Sequence, residues 1–341
     1  MKNFLRYKEN LKEVFIAKKL MALLVAGMMV FSLASCGEKP AEDPVEDPGL
    51  TTEPIAGSEL LNPTPGSISV GSYTLSAELL PFEEPFESVA SGDPDMTVLG
   101  DTVYISDGGN TVKVYTLSES GLTFVKDLDI PCRNGISVDM NGNLYADGGV
   151  LEAKIYDADG NETGKAAATG KIAVSTTEDI ALTWWSGRDE VTKIAGGACE
   201  PWVITGMNSS EGIFKNVNMI EIQNGHVLVG GAGQEQNIIA VYDTAGTQIA
   251  VSAEKLQGSL PNAICETANG YICTAVDDMN FIAPDGSIIG VADDPKTLFG
   301  INGKIWIRNL TPLSDGTVLV CASYSREDLS KQIFVYKLSG F

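Results

Sequence analysis

The chain has 341 residues, with 23 basic against 45 acidic side chains, a net charge of −22 and six cysteines. So acidic a composition argues against nucleic acid and anionic lipid headgroups as partners, since both are bound through positive charge. None of the cysteines shows a CxxC spacing, which argues against a structural zinc site.

The first nineteen residues carry Lys2, Arg6, Lys8, Lys12, Lys18 and Lys19 against Glu9 and Glu13, and Leu20 to Ala34 is then free of charge. A helix of that length rises about 22 Å, short of a hydrocarbon core of about 30 Å. A basic region, a short apolar run and small residues at its end read as a secretory signal over residues 1–35. Its ending, Leu33-Ala34-Ser35-Cys36 followed by Gly37, resembles a bacterial lipobox. That resemblance implies a diacylglycerol on the Cys36 thiol, cleavage before it, and a place in the bacterial cell envelope, outside the cytoplasm. The alternative is an ordinary signal peptide with a chance cysteine.

A tether follows, residues 36–66. Glu38 to Pro65 holds six prolines and seven acids with few apolar side chains. It cannot bury enough surface to offset its ordering entropy, so it is expected to be extended and mobile. Without residues 1–35 the chain keeps 17 basic and 43 acidic residues, a balance that suits solubility outside the cell. With Cys36 lipidated, Cys132, Cys199, Cys265, Cys273 and Cys321 remain, mostly as small buried hydrophobes in strands. A Cys265–Cys273 bridge across adjacent strands is one alternative.

From about residue 67 the pattern is all-β, and one unit sets the template: "RNGISVDMNGNLYADGG", Arg133 to Gly149, a strand, a turn at Asn141-Gly142 and a second strand. Its turn and second strand return as "LGDTVYISDGG", "QNGHVLVGGAG", "ANGYICTAVDD" and "SDGTVLVCAS", with "TEDIALTWWSG" a weaker copy. The second strands start near 102, 143, 180, 226, 271 and 317. A third strand recurs with tyrosine in register at Tyr115, Tyr156, Tyr242 and Tyr336. A period of about 45 residues with three or four short strands describes a propeller blade. Six copies predict a six-bladed β-propeller over residues 67–341. The last copy stops on a third strand at the end of the chain, which would expose an edge. "SISVGSYTLSAEL", Ser67 to Leu79, is expected to supply the missing strand and close the ring. Two packed sheets in a sandwich are the alternative.

These repeats resemble those of NHL and gluconolactonase-like propellers, "RNGISVDMNGNLYADGG" most closely. The resemblance implies that first strands line a central channel and that a ligand would meet their starting ends. Asparagines stand there, Asn134, Asn218, Asn262 and Asn309, two of them preceded by Arg133 and Arg308. Asn offers a donor and an acceptor, and Arg attracts anions. The alternative is that these asparagines bond to loop backbone and stabilise the blade tops. In the gluconolactonase-like enzymes a divalent metal such as calcium sits in the channel on Glu, Asn and Asp. Asn134 matches one such ligand, Asn218 or Asn262 another, while Glu83, Glu84 and Glu87 compete for the glutamate. No cofactor is otherwise expected.

Catalytic signals are thin. The single histidine, His226, falls on a strand and reads as structural, and no HExxH, GxSxG or Walker sequence occurs. Asp107, Asp147 and Asp277 close second strands and are expected to accept turn hydrogen bonds. Trp184 and Trp185 are expected on opposite faces of one strand. The reading that follows is a lipoprotein whose propeller is a binding or scaffold module for a protein partner or a small ligand. A metal-dependent hydrolase or lyase of lactonase type is the alternative, and help in assembling an envelope complex is a third.

Overall fold

The computed structural model describes residues 60–341 apart from 83–85, 89–91, 134, 147–151, 186–190, 196–197, 203–211, 253, 255, 276–277, 294, 304 and 327–329. Cys36, Glu83, Glu84, Asn134, Asp147 and Asp277 lie outside the described residues, as does the Glu87 side chain.

The described strands open with a hairpin, β1 (Ser67–Val70) and β2 (Tyr73–Leu80), and a short β3 (Glu87–Ser88). Four-stranded meanders follow. Blade one holds β4 (Asp95–Leu99), β5 (Thr102–Ser106), β6 (Thr111–Ser118) and β7 (Gly121–Asp129). Blade two holds β8 (Ile136–Val138), β9 (Leu144–Ala146), β10 (Glu152–Tyr156) and β11 (Glu162–Thr169). Blade three holds β12 (Lys171–Val174), β13 (Ala181–Trp184), β14 (Val191–Ala195) and β15 (Ala198–Pro201). Blade four holds β16 (Phe214–Gln223), β17 (His226–Gly233), β18 (Asn237–Asp243) and β19 (Gln248–Val251). Blade five holds β20 (Ala263–Thr267), β21 (Gly270–Ala275), β22 (Asp278–Ile282) and β23 (Ile288–Ala292). A one-turn helix, α1 (Pro295–Phe299), leads to blade six, with β24 (Ile305–Pro312), β25 (Val318–Ser325) and β26 (Lys331–Ser339). The chain is a six-bladed β-propeller.

Blade six is finished by the other end of the chain. β2 runs antiparallel to β26, from Ser76 opposite Ser339 to Leu80 opposite Val335. β3 continues on the same edge, with Glu87 opposite Gln332. The closing segment is a hairpin rather than a single strand, because β1 pairs outside β2. β1 also packs on blade five. A Cβ at Gly290 of β23 would lie 2.8 Å from Val70 Cγ1, so the missing side chain is what lets the two strands meet.

The core is divided as the ring predicts. Six separate clusters of buried side chains fill the six seams, one between each pair of neighbouring blades. The seam between blades six and one, which exists only if the ring closes, contains Leu80, Met96, Val103, Tyr115, Leu319 and Val335. The matched tyrosines have one job. Tyr115, Tyr156, Tyr242 and Tyr336 are all buried, each in the seam toward the preceding blade. Blade three has Ile194 at that position and blade five Ile282.

The repeated turn has a local cause. Asp139 Oδ1 accepts from the backbone N–H of Asn141 at 2.8 Å and of Asn143 at 2.9 Å, and Gly142 takes a φ of 83° that suits glycine. Asp157 repeats the pattern toward Asp159 and Asn161. Asp107 does as expected, accepting from Gly109 N at 2.7 Å and Thr111 N at 3.1 Å.

One alternative falls away and one expectation needs correction. Cys265 stands opposite Ile272, and Cys273 opposite Ile264. That offset of one residue sends the thiols to opposite faces of the sheet, Cys265 into the seam with blade six and Cys273 into the seam with blade four. No bridge forms, and both cysteines are free. Trp184 ends β13 and is buried, but Trp185 lies beyond the strand and is half-buried.

Candidate functional site

The inner strands β4, β8, β12, β16, β20 and β24 surround the central channel. It widens into a recess on each face. On the face where inner strands begin, a recess of about 280 Å³ takes in Asp93, Asp95, Lys171, Asn218, Asn262 and Arg308 among its lining. On the face of the first hairpin turns, a recess of about 830 Å³ runs outward between blades six and one. Met96, Thr97, Ser137, Glu221 and Asn309 border both and form the waist.

The structure brings Asn218, Asn262, Asn309 and Arg308 together in the smaller recess. Arg133 is exposed and does not line it. The side-chain amides of Asn218 and Asn262 are spent on the ring itself. Asn218 Nδ2 donates to the Pro261 carbonyl of blade five, and Asn262 Nδ2 to the Ile307 carbonyl of blade six. Asn309 Oδ1 accepts from Thr311 Oγ1 at 2.8 Å.

The other seams are bridged at the same level. Asp95 Oδ2 accepts from Ile136 N, and Ser137 Oγ from Val174 N, both at 3.0 Å. Trp184 Nε1 donates to Asn218 O at 3.3 Å. Arg308 Nη1 meets Asp93 Oδ1 at 3.0 Å, closing blade six onto blade one. A polar contact therefore spans each of the six seams.

Arg308 is the most constrained cation there. Its Nε donates to Ser323 Oγ at 2.9 Å, and its guanidinium lies 5.2 Å from the Trp306 ring centroid. Burial lowers its pKa from the ordinary arginine value, against the pull of Asp93. Burial pushes the Asp93 carboxyl up, but Arg308 and Lys331 outweigh it and hold it below the usual carboxylate range.

Glu221 is not among the residues that the sequence singles out. It stands in the middle of β16 and borders both recesses. Its carboxyl makes no hydrogen bond among the described residues, whereas the neighbouring Gln223 bonds to Leu310 O and Glu266 N. Burial in the channel, and then the Asp95 carboxylate, push Glu221 up to about 8 against the opposing pull of Lys171. Its signal in the sequence is a lone acid between the buried Ile220 and Ile222.

His226 lies outside both recesses. Its Nδ1 is 2.9 Å from Glu266 Oε1, a link between blades four and five. Among the described residues no group of three or more His, Cys, Asp or Glu side chains is placed to hold a metal ion. A gluconolactonase-like metal set would need Asn134 together with Glu83, Glu84 or Glu87, whose side chains lie outside those residues.

No known family model matches the chain, and no curated protein matches it significantly. The likeness to NHL and gluconolactonase-like propellers thus rests on the repeat residues alone, and the fold by itself does not carry a function.

Proposed function

We propose that this protein is a lipid-anchored, extracytoplasmic binding module whose propeller channel holds a small ligand. Three features support the reading. The lipobox-like Leu33–Cys36 and the acidic, proline-rich tether suit a domain held off a membrane. No helix among the described residues is long and apolar enough to cross one. The channel is open to a recess on each face and carries polar groups at its waist.

The observation that carries the proposal is Glu221, a channel carboxyl with no hydrogen-bond partner among the described residues. The carboxyl is half-buried and open to the channel, so a ligand entering there would meet it. Functional sites are where perturbed titratable groups in clefts concentrate.

The test is thermal. A panel of small polar compounds is screened for those that raise the unfolding midpoint of the full chain, since a ligand at 100 times its Kd adds about 2.7 kcal/mol. The hits are repeated on Thr97→Trp, which plugs the waist. Shifts lost in that variant support the channel. Shifts that persist, or a chain that no small molecule stabilises, turn the reading toward a scaffold. Anchoring is tested separately. Metabolic labelling with a fatty-acid analogue should mark the parent and not Cys36→Ser, and a parent that takes up no label overturns the lipid anchor.

A further inference from the structure

We infer that the channel waist is a binding site for a small organic cation, an alkylammonium group seated on Glu221 and entering from the larger recess. The inference rests on the channel being the ligand site and adds the class of ligand.

At the waist, Glu221 is the only ionisable group among the five residues shared by the two recesses. Thr97, Ser137 and Asn309 bring side-chain oxygens to the same place, which suits an ammonium with three donors to satisfy. The larger recess below continues the sign. Glu78, Asp101, Glu119 and Asp315 line it against one cation, Lys337. That cation is already engaged, with its Nζ 2.7 Å from Asp315 Oδ2 and its backbone opposite Glu78. An anion approaching from this side meets carboxylates with no uncommitted cation. A sugar finds no aromatic ring among the lining residues on which to stack. A cation is drawn inward, because a cleft of one sign of charge focuses the field along its axis. The volume of about 830 Å³ leaves room for a methylene chain with a second ammonium among the outer carboxylates.

The surroundings of Glu221 make such binding depend on pH. Asp95 and Lys171 are the charged groups that act on it, with Asp93 and Arg308 further up the same recess. The thiols of Cys265 on β20 and Cys321 on β25 are pushed up by burial and stay uncharged. With its carboxyl raised to about 8, Glu221 holds a proton at neutral pH, and an ammonium must displace it. Binding then releases a proton and strengthens as the pH rises toward that value, by up to about tenfold per pH unit.

The experiment is calorimetric titration of the full chain with putrescine (1,4-diaminobutane) near physiological salt. It is run at about pH 6.5 and about pH 8, each in two buffers of different ionisation enthalpy. Tighter binding at the higher pH, with proton release, is expected. Glu221→Gln should weaken binding at least tenfold. Glu221→Asp, which keeps the charge, should lose less, and it guards against misreading a variant that fails to fold. Equal binding by the parent and Glu221→Gln overturns the inference, as does no putrescine binding. Acetate, glucose or Ca²⁺ acting at the waist in its place would overturn the cation while leaving the channel as a binding site. If none of these acts and the Thr97→Trp test also fails, the channel reading falls too.

Discussion

Tyr336 and Tyr242 both point from the third strand of their blades into the seam with the preceding blade, opposite Val320 and Val227, yet only one hydroxyl is used. Tyr336 Oη donates to the Phe299 carbonyl at 3.1 Å, and its ring lies 4.8 Å from that of Phe299. Tyr242 Oη is buried with no partner among the described residues, its ring edge-on to Trp202 at 6.0 Å. The repeat conserves the ring, while the hydroxyl is satisfied locally or not at all.

Tyr336→Phe should therefore cost about 1 kcal/mol, the worth of a buried hydrogen bond plus an orphaned carbonyl. Tyr242→Phe should be neutral or stabilising, because it removes a desolvated hydroxyl without breaking a bond. Urea denaturation of the pair measures both. Equal losses would show that Tyr242 has a partner after all.

Ring closure is tested at Leu75, which is fully buried in the closing strand β2 and packs in the seam between blades five and six. Leu75→Ala should cost about 2–5 kcal/mol. Thr74→Ala, on the exposed face of the same strand, should cost little. Deleting residues 67–80 should leave β26 with a bare edge and drive aggregation. A deletion variant that unfolds at the parent's midpoint would rule out closure by this segment.

Glu221 also sets a pH dependence of stability. Its folded value of about 8 lies above the ordinary carboxylate value, so folding favours the protonated form. The contribution of Glu221 to stability should be highest below about pH 4.5, fall as the pH rises toward 8, and level off above it. Glu221→Gln removes that slope. It should match the parent near pH 4 and exceed it by up to about 5 kcal/mol near pH 9. Melting curves across this range decide it, and parallel curves for parent and variant would mean the carboxyl is well solvated.

Cysteine labelling offers a quick check of the seams. Cys199 is exposed on β15, while Cys132, Cys265, Cys273 and Cys321 are buried, and burial pushes the Cys132 thiol up to about 12. Maleimide should modify Cys199 in the folded domain within minutes and reach the other four only after denaturation. Rapid native labelling of Cys265 or Cys273 would mean that the blades separate easily.

Much of this architecture is written in the repeat. The turn aspartates, the glycines after them and the spaced tyrosines are local necessities of a blade, so they recur and can be counted. Seams are harder to read. The sequence shows that Asn218 and Asn262 begin inner strands, but not that their amides reach carbonyls of the next blade. Glu221 was legible only as a polar exception among Met219, Ile220 and Ile222, and a single exception has no period. The paired offset that separates Cys265 from Cys273 depends on hairpin register, which composition does not reveal.

Among the described residues, the seam between blades two and three holds the fewest buried side chains. Its buried side chains are Ala153, Ala166, Ile172, Val174 and Ala181, and a recess of about 260 Å³ opens beside them. The seam where the two chain ends meet holds Phe86, Met96, Tyr115 and Leu319. The hoop is thus weaker in its band than at its clasp. Blades two and three are successive in the chain, joined through Gly170. When the domain breathes, it should part along this line with its ends still fastened, and a gap of that kind can reseal without the ring having to find its own terminus again.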